Sequence, residues 1–156
     1  LEGARRYYEL KERCVFCDII QQETSDHATR RLVSSSDSFL AIEPFAPRFP
    51  FETWILPRRH DASYQVLDER REFRELAATL KDTLQRLNRA LDRPPFNFVL
   101  HTAPVSDHDL EYYHWHIEIM PKLTRVAGFE IGSGFYINPT PPEDAAQYLR
   151  ETALER

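Results

Sequence analysis

Residues 114–120 of this 156-residue chain read HWHIEIM. Polar and apolar side chains alternate through the stretch, and a β-strand places every second residue on the same face, with about 6.6 Å between successive members. The pattern predicts a strand over residues 112–120 that presents His114, His116 and Glu118 to one pocket and turns the residues between them into a core. An ordinary solvated strand face is the alternative, although two histidines at this spacing are less usual on such a face.

The clearest helix is predicted upstream of this strand, over residues 68–91. Apolar side chains recur there at spacings of three and four residues, which is the period of an amphipathic helix. The apolar stripe consists of Phe73, Leu76, Ala77, Leu80, Leu84, Leu87 and Leu91. Two prolines at positions 94 and 95 end the pattern. We expect the stripe to pack on Trp115, Ile117 and Ile119, the apolar face of the predicted strand.

The remaining chain alternates short β-type runs with turns and two further helices. The runs are residues 31–34, 39–42, 51–56 and 96–102, and the helices cover residues 4–13 and begin again at about Pro142. Three prolines make residues 44–50 an ordered loop, and His27 and His108 fall in polar loops. Without regular βαβ alternation, this order of elements predicts one α+β domain with a mostly antiparallel sheet, one long helix and a C-terminal helix.

Composition and charge narrow the classes of function. The formal net charge is −5 and 42% of the residues are apolar, as in a globular protein. A polyanion such as DNA would meet no continuous basic face, whereas a small phosphorylated ligand needs only one or two positive groups. No run of about 18 apolar residues and no signal-peptide core occurs. We therefore predict neither nucleic-acid nor membrane binding.

The two cysteines, Cys14 and Cys17, are candidate metal ligands. Two thiols this close cannot form the framework of a secreted, disulfide-rich domain, which favours a cytoplasmic location. Thiolates at this spacing can reach one zinc ion from a single turn, with further ligands drawn from six histidines. A redox pair and two buried small side chains are the alternatives. His60 and His101, each taken alone, are typical of ordinary surface or core histidines.

Taken together, these motifs resemble the second half of galactose-1-phosphate uridylyltransferase. The resemblance rests on residues 42–60 (IEPFAPRFPFETWILPRRH), residues 94–97 (PPFN) and the HWH triplet at 114–116. Residues 128–139 (GFEIGSGFYINP) are most similar to the branch that includes plant-type ADP-glucose phosphorylases. The similarity covers almost the whole chain and implies a histidine-triad-like fold for one C-terminal domain over residues 1–156.

The resemblance implies transfer of a nucleoside monophosphate, with UMP expected, between sugar 1-phosphates through a covalent histidine–nucleotide intermediate. In the family the nucleophile belongs to a His-Pro-His-x-Gln motif in the first half of the chain. These 156 residues contain no His-Pro-His and do not begin with Met. We therefore expect a C-terminal half that lacks the N-terminal catalytic half and is inactive by itself. The implied partners are a sugar phosphate or nucleotide sugar, its own N-terminal half and a second copy in a homodimer.

Three other functions stay open. One is a sugar-nucleotide phosphorylase that transfers an adenylyl group. The second is a stand-alone histidine-triad nucleotide hydrolase that uses His116, and the third is a non-catalytic, zinc-stabilised domain.

The resemblance also implies roles for individual residues. The zinc ligands by position are Cys14, Cys17, His60 and His114. His116 occupies the position of the nucleophile in single-domain histidine-triad proteins, and Glu118 stands where the third histidine of the triad would be. The positions that match the sugar-phosphate-binding segment, on a short irregular stretch after Pro121, are Arg125, Gly128, Phe129 and Glu130.

Overall fold

The computed structural model describes residues 1–25, 29–67, 70–107 and 109–154, so the predictions for His27 and His108 lie outside the described residues. The strands are β1 (Leu32–Ser35), β2 (Phe39–Ile42), β3 (Thr53–Pro57), β4 (Phe96–His101) and β5 (His116–Pro121). The α-helices are α1 (Glu2–Lys11), α2 (Val15–Thr24), α3 (Glu72–Ala90), α4 (Gly128–Ser133) and α5 (Pro142–Glu151). None of the helices in these ranges has both the length and the apolar character needed to cross a membrane.

The five described strands form one sheet in the order β1-β2-β3-β5-β4, and every neighbouring pair is antiparallel. The proline-rich loop after β2 returns the chain to β3, as its three prolines predict. β4 lies at one edge of the sheet. The predicted α+β architecture, with a mostly antiparallel sheet, one long helix and a C-terminal helix from Pro142, is confirmed.

One face of the sheet carries the larger core, built with α3 and α5. Its buried members from the sheet side are Val33, Phe39, Ala41, Ile55, Trp115, Ile117 and Ile119. Those from the two helices are Leu76, Leu87, Ala146 and Leu149. Phe73, Leu80 and Leu84 are partly buried against this cluster, which confirms the predicted packing of the helix on the strand. Ala77 is the exception, because it faces solvent while Thr79 and Thr83 are buried.

The opposite face is covered by α2, where the sequence predicted a polar loop from Gln21 onward. The helix continues to Thr24 because Ile20 and Glu23 both turn inward. Ile20 packs in a cluster with the strand residues Leu40, Ile42 and Leu56. A residue that looks polar in the sequence is therefore part of the buried side of this helix.

Glu23 anchors α2 through a buried ion network. Its Oε1 accepts hydrogen bonds from Arg31 Nε at 3.0 Å and from Arg31 Nη2 at 2.6 Å. Arg31 Nη1 donates to Glu143 at 2.7 Å. The network joins α2, the turn before β1 and the start of α5, three segments that are distant in the sequence.

Two local predictions near the histidines are wrong. The strand predicted over residues 112–120 begins only at His116, because the Trp115 N–H donates to the carbonyl oxygen of Asp61 at 2.9 Å instead of joining the strand ladder. The stretch predicted to be irregular after Pro121 ends in α4, where Glu130 accepts the Ala127 N–H at 3.0 Å. A carboxylate at this position satisfies one of the free N–H groups of the first turn.

We expect Leu87→Ala to lower the free energy of unfolding by about 2–5 kcal/mol, because Leu87 is 2% exposed and its removal leaves a cavity in the core. Denaturant unfolding followed by circular dichroism measures the change. Leu10→Ala is the matched control, since Leu10 is 77% exposed and should change the free energy by less than about 0.5 kcal/mol. An equally small loss for Leu87→Ala would mean that the stripe does not form the core.

Candidate functional site

Four potential metal ligands gather where three separate segments of the chain meet. Cys14 and Cys17 come from the start of α2, His60 follows β3, and His114 precedes β5. Cys17 Sγ lies 3.2 Å from His60 Nδ1 and 3.6 Å from His114 Nδ1, and all four ligand atoms lie within 4.8 Å of one another. With Zn–S and Zn–N bonds of about 2.3 and 2.0–2.1 Å, a tetrahedral ion keeps its sulfur and nitrogen ligands roughly 3.6 Å apart. The donor atoms and their spacing fit zinc.

Hydrogen bonds and charge prepare these ligands for an ion. His114 is fully buried, and its Nε2 lies 2.9 Å from the carbonyl oxygen of Pro57, so the ring donates there and turns Nδ1 toward Cys17. Metal-binding histidines are generally oriented by such an outer hydrogen bond. A hydrogen bond from Cys17 lowers the pKa of Cys14 to about 4, and the same contact raises the pKa of Cys17. His60 is exposed, which opens the group to an ion arriving from solvent.

A second group of side chains surrounds His116 on the face of the sheet covered by α2. Antiparallel pairing of β4 with β5 places His101 opposite His116, and the two rings stack with their centroids 4.8 Å apart. Glu118 Oε2 lies 3.2 Å from His101 Nε2, and Glu118 Oε1 lies 3.8 Å from His116 Nε2. Arg48 of the proline-rich loop donates from Nη2 to Glu118 Oε2 at 2.9 Å. These three residues, His101, His116 and Glu118, could also bind a metal ion, but the guanidinium already neutralises the carboxylate.

His116 is 4% exposed and is enclosed by aromatic rings. The Phe16 ring of α2 lies over it with centroids 4.6 Å apart, and the Trp54 ring lies 5.5 Å away. His116 Nδ1 lies 2.9 Å from the carbonyl oxygen of His114, a hydrogen bond that fixes the ring and turns Nε2 toward Glu118. The imidazole is therefore a packed part of the protein interior.

The prediction that His114, His116 and Glu118 share one pocket is wrong. The strand begins after His114, so strand alternation does not apply to it, and its ring joins the two cysteines. Sequence reasoning missed His101, because only the register of β4 on β5 shows that it lies opposite His116. It also missed Arg48, whose contact with Glu118 spans 70 residues of sequence.

The four residues assigned to sugar-phosphate binding lie on the exposed segment after β5. Phe129 is 57% exposed, and Arg125 lines a shallow cleft together with Arg48. Glu130 caps its own helix by accepting the Ala127 N–H. A Cβ built on Gly128 meets nothing within 4 Å, so the described residues make no close approach there. Arg125 and Glu130 therefore line the same cleft as Arg48, the residue that donates to Glu118.

Glu118 is held as a carboxylate by its neighbours. Burial opposes its ionisation, but the nearby imidazole of His116, whose Nε2 lies 3.8 Å from Oε1, and the charges of His101 and Arg48 outweigh burial and lower the pKa of Glu118 to about 2. A group with this environment stabilises the folded state as long as it is ionised.

We expect Glu118→Gln to lower the free energy of unfolding at pH 7 by roughly 3 kcal/mol, the equivalent of a pKa lowered from 4.5 to about 2. The stabilisation is present above the ordinary carboxyl pKa and is lost as the pH falls toward the folded-state value. The difference between E118Q and the wild type should therefore shrink below about pH 4.5. Unfolding of both proteins between pH 7 and about pH 3.5 measures it. A difference that stays constant over this range would contradict the electrostatic explanation.

The fold is that of the histidine-triad proteins. A hypothetical histidine triad nucleotide-binding protein from Sulfolobus tokodaii superposes with a TM-score of 0.61 at 20% identity, over 89% of this chain and 91% of that one. At this sequence identity, the superposition shows only that the two chains share a fold. The crystal structure of an ADP-glucose phosphorylase from Arabidopsis thaliana, with bound ADP-glucose, superposes with a TM-score of 0.86 at 36% identity, over 97% of this chain and 47% of that one.

Within that fold, residues 2–155 match the family model described as galactose-1-phosphate uridyl transferase, C-terminal domain, and the chain belongs to this family. The ADP-glucose phosphorylase of Arabidopsis thaliana is 38% identical over 99% of the chain and 42% of its own length. The galactose-1-phosphate uridylyltransferase of Thermotoga maritima is 34% identical over 97% of the chain and 48% of its own length. The chain thus spans about half the length of the curated relatives it matches.

Proposed function

We propose that this chain is the C-terminal domain, over residues 1–156, of a nucleotidyltransferase that moves a nucleoside monophosphate, UMP in the first instance, between sugar 1-phosphates. The observation that carries the proposal is the family match over residues 2–155. Identities of 38% and 34% with an ADP-glucose phosphorylase and a galactose-1-phosphate uridylyltransferase support it. Because the relatives are about twice as long, the proposed activity needs a further half of the protein.

The proposed cofactor is one zinc ion bound by Cys14, Cys17, His60 and His114. The spacing of the donor atoms and the outer hydrogen bond of His114 to Pro57 support this role. Four protein ligands leave no open coordination position for a substrate, so the ion is structural. A reducing compartment such as the cytoplasm keeps both thiols available to it.

In this proposal His116 is a packing and hydrogen-bonding residue, not the nucleophile. A nucleophilic imidazole has to bring a free nitrogen lone pair to the α-phosphate. Here Phe16 lies over the ring, Nδ1 is hydrogen-bonded to a carbonyl oxygen, and Nε2 faces Glu118. The same burial disfavours a stand-alone hydrolase that uses His116. Without the further half of the protein, this chain is proposed to act as the remaining alternative describes. It is then a non-catalytic, zinc-stabilised domain that completes the active site of another part of the protein.

A sugar-nucleotide phosphorylase that transfers an adenylyl group is the second candidate. One observation favours it: the ADP-glucose phosphorylase is 38% identical to this chain, compared with 34% for the uridylyltransferase. The two candidates share the transfer chemistry and differ in the base and in the acceptor, which is a sugar phosphate in one case and inorganic phosphate in the other.

The exposed apolar surface supports partners for this domain. The segment after β5 exposes Phe129, Ile131, Phe135 and Ile137, and the edge strand β4 exposes Phe98. Apolar exposure on this scale is typical of interaction surfaces. The proposed partners are the N-terminal half and a second copy of the protein. The sugar phosphate is proposed to contact Arg125, Gly128, Phe129 and Glu130 once these partners are in place.

Kinetic assay of the full-length protein tests the function. It should release glucose 1-phosphate from UDP-glucose with galactose 1-phosphate as acceptor, or from ADP-glucose with inorganic phosphate, and the ratio of kcat/KM values identifies the base. Arg125→Ala should raise KM for the phosphorylated acceptor, whereas Arg74→Ala, at an exposed position of α3, should leave it unchanged. Absence of both reactions would reject the proposal.

A further inference from the structure

Glu43, the residue after β2, is a carboxyl group in the protein interior. It is fully buried, and its Oε1 lies 2.7 Å from Thr53 Oγ1. Its Oε2 has no hydrogen-bond partner among the residues that the structure describes. An ionised carboxylate with one unsatisfied oxygen is strongly disfavoured in such an environment. Burial, together with the charge of Glu52, raises the pKa of Glu43 well above its usual range.

The contacts of Thr53 indicate where the proton of Glu43 lies. The Thr53 hydroxyl has one proton, yet it contacts both Glu43 Oε1 and the carbonyl oxygen of Phe51, the latter at 3.2 Å. A carbonyl oxygen can only accept, whereas a protonated carboxyl group can donate. Both contacts are satisfied when Glu43 donates to Thr53 and Thr53 donates to Phe51. Phe51 needs this support, because its φ of +59° is rare for an aromatic residue.

Glu52, which is 1% exposed, has the opposite hydrogen-bonding pattern. Its Oε2 accepts the N–H groups of Arg48 at 2.9 Å and Phe49 at 3.3 Å, and its Oε1 accepts Trp54 Nε1 at 3.1 Å. Three donors satisfy an ionised carboxylate. The loop between β2 and β3 is therefore held by two buried carboxyl groups, Glu52 with three donors and Glu43 with one hydroxyl contact.

Other charged groups near Glu43 are engaged elsewhere. Arg31, whose carbonyl oxygen accepts the Glu43 N–H at 2.9 Å, has its guanidinium bonded to Glu23 of α2 and Glu143 of α5. Arg48 Nε lies 3.9 Å from Glu52, and its Nη2 donates to Glu118. Within the described ranges, the charge that acts on Glu43 is therefore that of Glu52, and it opposes ionisation.

We propose that Glu43 is a proton-dependent clasp on the loop that carries Arg48. In its protonated form it fixes the turn at Phe51 and so keeps Arg48 on Glu118, beside His116. Loss of the proton places two carboxylates in one buried site and loosens the loop. The clasp requires no substrate, so it stands whether or not the proposed transferase activity is found.

The test combines a titration with hydrogen exchange on the 156-residue chain. In carbon-13 NMR, the Glu43 side chain should give the signal of a protonated carboxyl group at pH 7. Exchange protection of the Arg48 and Phe49 amides, corrected for the intrinsic rate, should fall at least tenfold through the pH at which Glu43 ionises. In Glu43→Gln, which keeps a neutral group, that protection should not change with pH. Glu9→Gln, at an exposed position of α1, should behave as the wild type.

The sign of the stability change gives a second readout. A carboxyl group whose pKa is raised on folding stabilises the protein below the ordinary carboxyl pKa and loses that contribution as the pH rises through the folded-state value. The Tm of E43Q relative to the wild type should therefore increase with pH. An ionised Glu43 at pH 7, or protection of the Arg48 and Phe49 amides in the wild type that stays constant while Glu43 ionises, would overturn the proposal. The wild-type titration decides this even if E43Q does not fold.

Discussion

Chelation of zinc should unfold this chain, an effect on the order of 10 kcal/mol in apparent free energy. The proposed ion joins the start of α2, the residue His60 after β3 and the residue His114 before β5. The ligand atoms of two thiols and two imidazoles lie within 4.8 Å of one another. When the ion is removed, these groups lose the metal–ligand bonds that offset the cost of their desolvation. Binding energy of a structural zinc is largely folding energy, because the unfolded chain offers no preformed site.

Metal analysis and thermal unfolding check this prediction together. The purified chain should contain one equivalent of zinc, and EDTA should abolish the cooperative transition seen by circular dichroism. Cys14→Ser should have the same effect as the chelator. His101→Asn is the matched control, because His101 belongs to the neighbouring group, and it should keep the full equivalent of zinc. Well under one equivalent, or a disulfide between the two cysteines, would contradict the zinc assignment.

The isolated chain should transfer no uridylyl group, with a rate on the order of 10⁴-fold or more below that of the full-length protein. Loss of a catalytic nucleophile has effects of this size or larger in enzymes that use a covalent intermediate. The chain offers His116 at the expected strand position, but the ring is 4% exposed beneath Phe16. Its Nδ1 is occupied by the carbonyl oxygen of His114. None of the six histidines in these 156 residues lies in a His-Pro-His motif.

Assay of the isolated chain with UDP-glucose and galactose 1-phosphate measures this directly. A nucleoside phosphoramidate should also survive incubation, since its hydrolysis would require an open imidazole. Turnover that His116→Ala abolishes, while Glu9→Ala leaves it intact, would show that this domain carries its own nucleophile. Recovery of activity on adding the N-terminal half would support the division of roles proposed above.

Much of the fold could be predicted because it depends on local periodicity. The apolar stripe of α3 and the alternation of Ile117 and Ile119 determine which face of the helix packs on which face of the sheet. The structure confirms this packing. The end of α2 could not be predicted in the same way. The sequence around Glu23 is polar and predicts a loop. Glu23 is buried in a helix because it pairs with Arg31, and that pairing depends on tertiary structure.

The candidate site was only partly predictable for a related reason. The zinc set came from a resemblance that specifies positions, and the structure brings those four residues together. Strand alternation predicts that His114 and His116 share one pocket, but they belong to two different groups of side chains. The reason is one backbone hydrogen bond, from Trp115 to Asp61, which delays the start of β5 until after His114. The contacts of Arg48 and His101 depend on loop path and strand register, which single residues do not reveal.

Covalent labelling of the full-length protein tests most directly whether this domain supports, but does not supply, the nucleophile. The protein is incubated with a nucleotide sugar labelled at the α-phosphate, digested, and analysed by mass spectrometry under conditions that preserve phosphohistidine bonds. We predict a nucleotidyl group on a histidine outside residues 1–156, in a His-Pro-His segment, and none on His116. A nucleotidyl group on His116 would contradict the account.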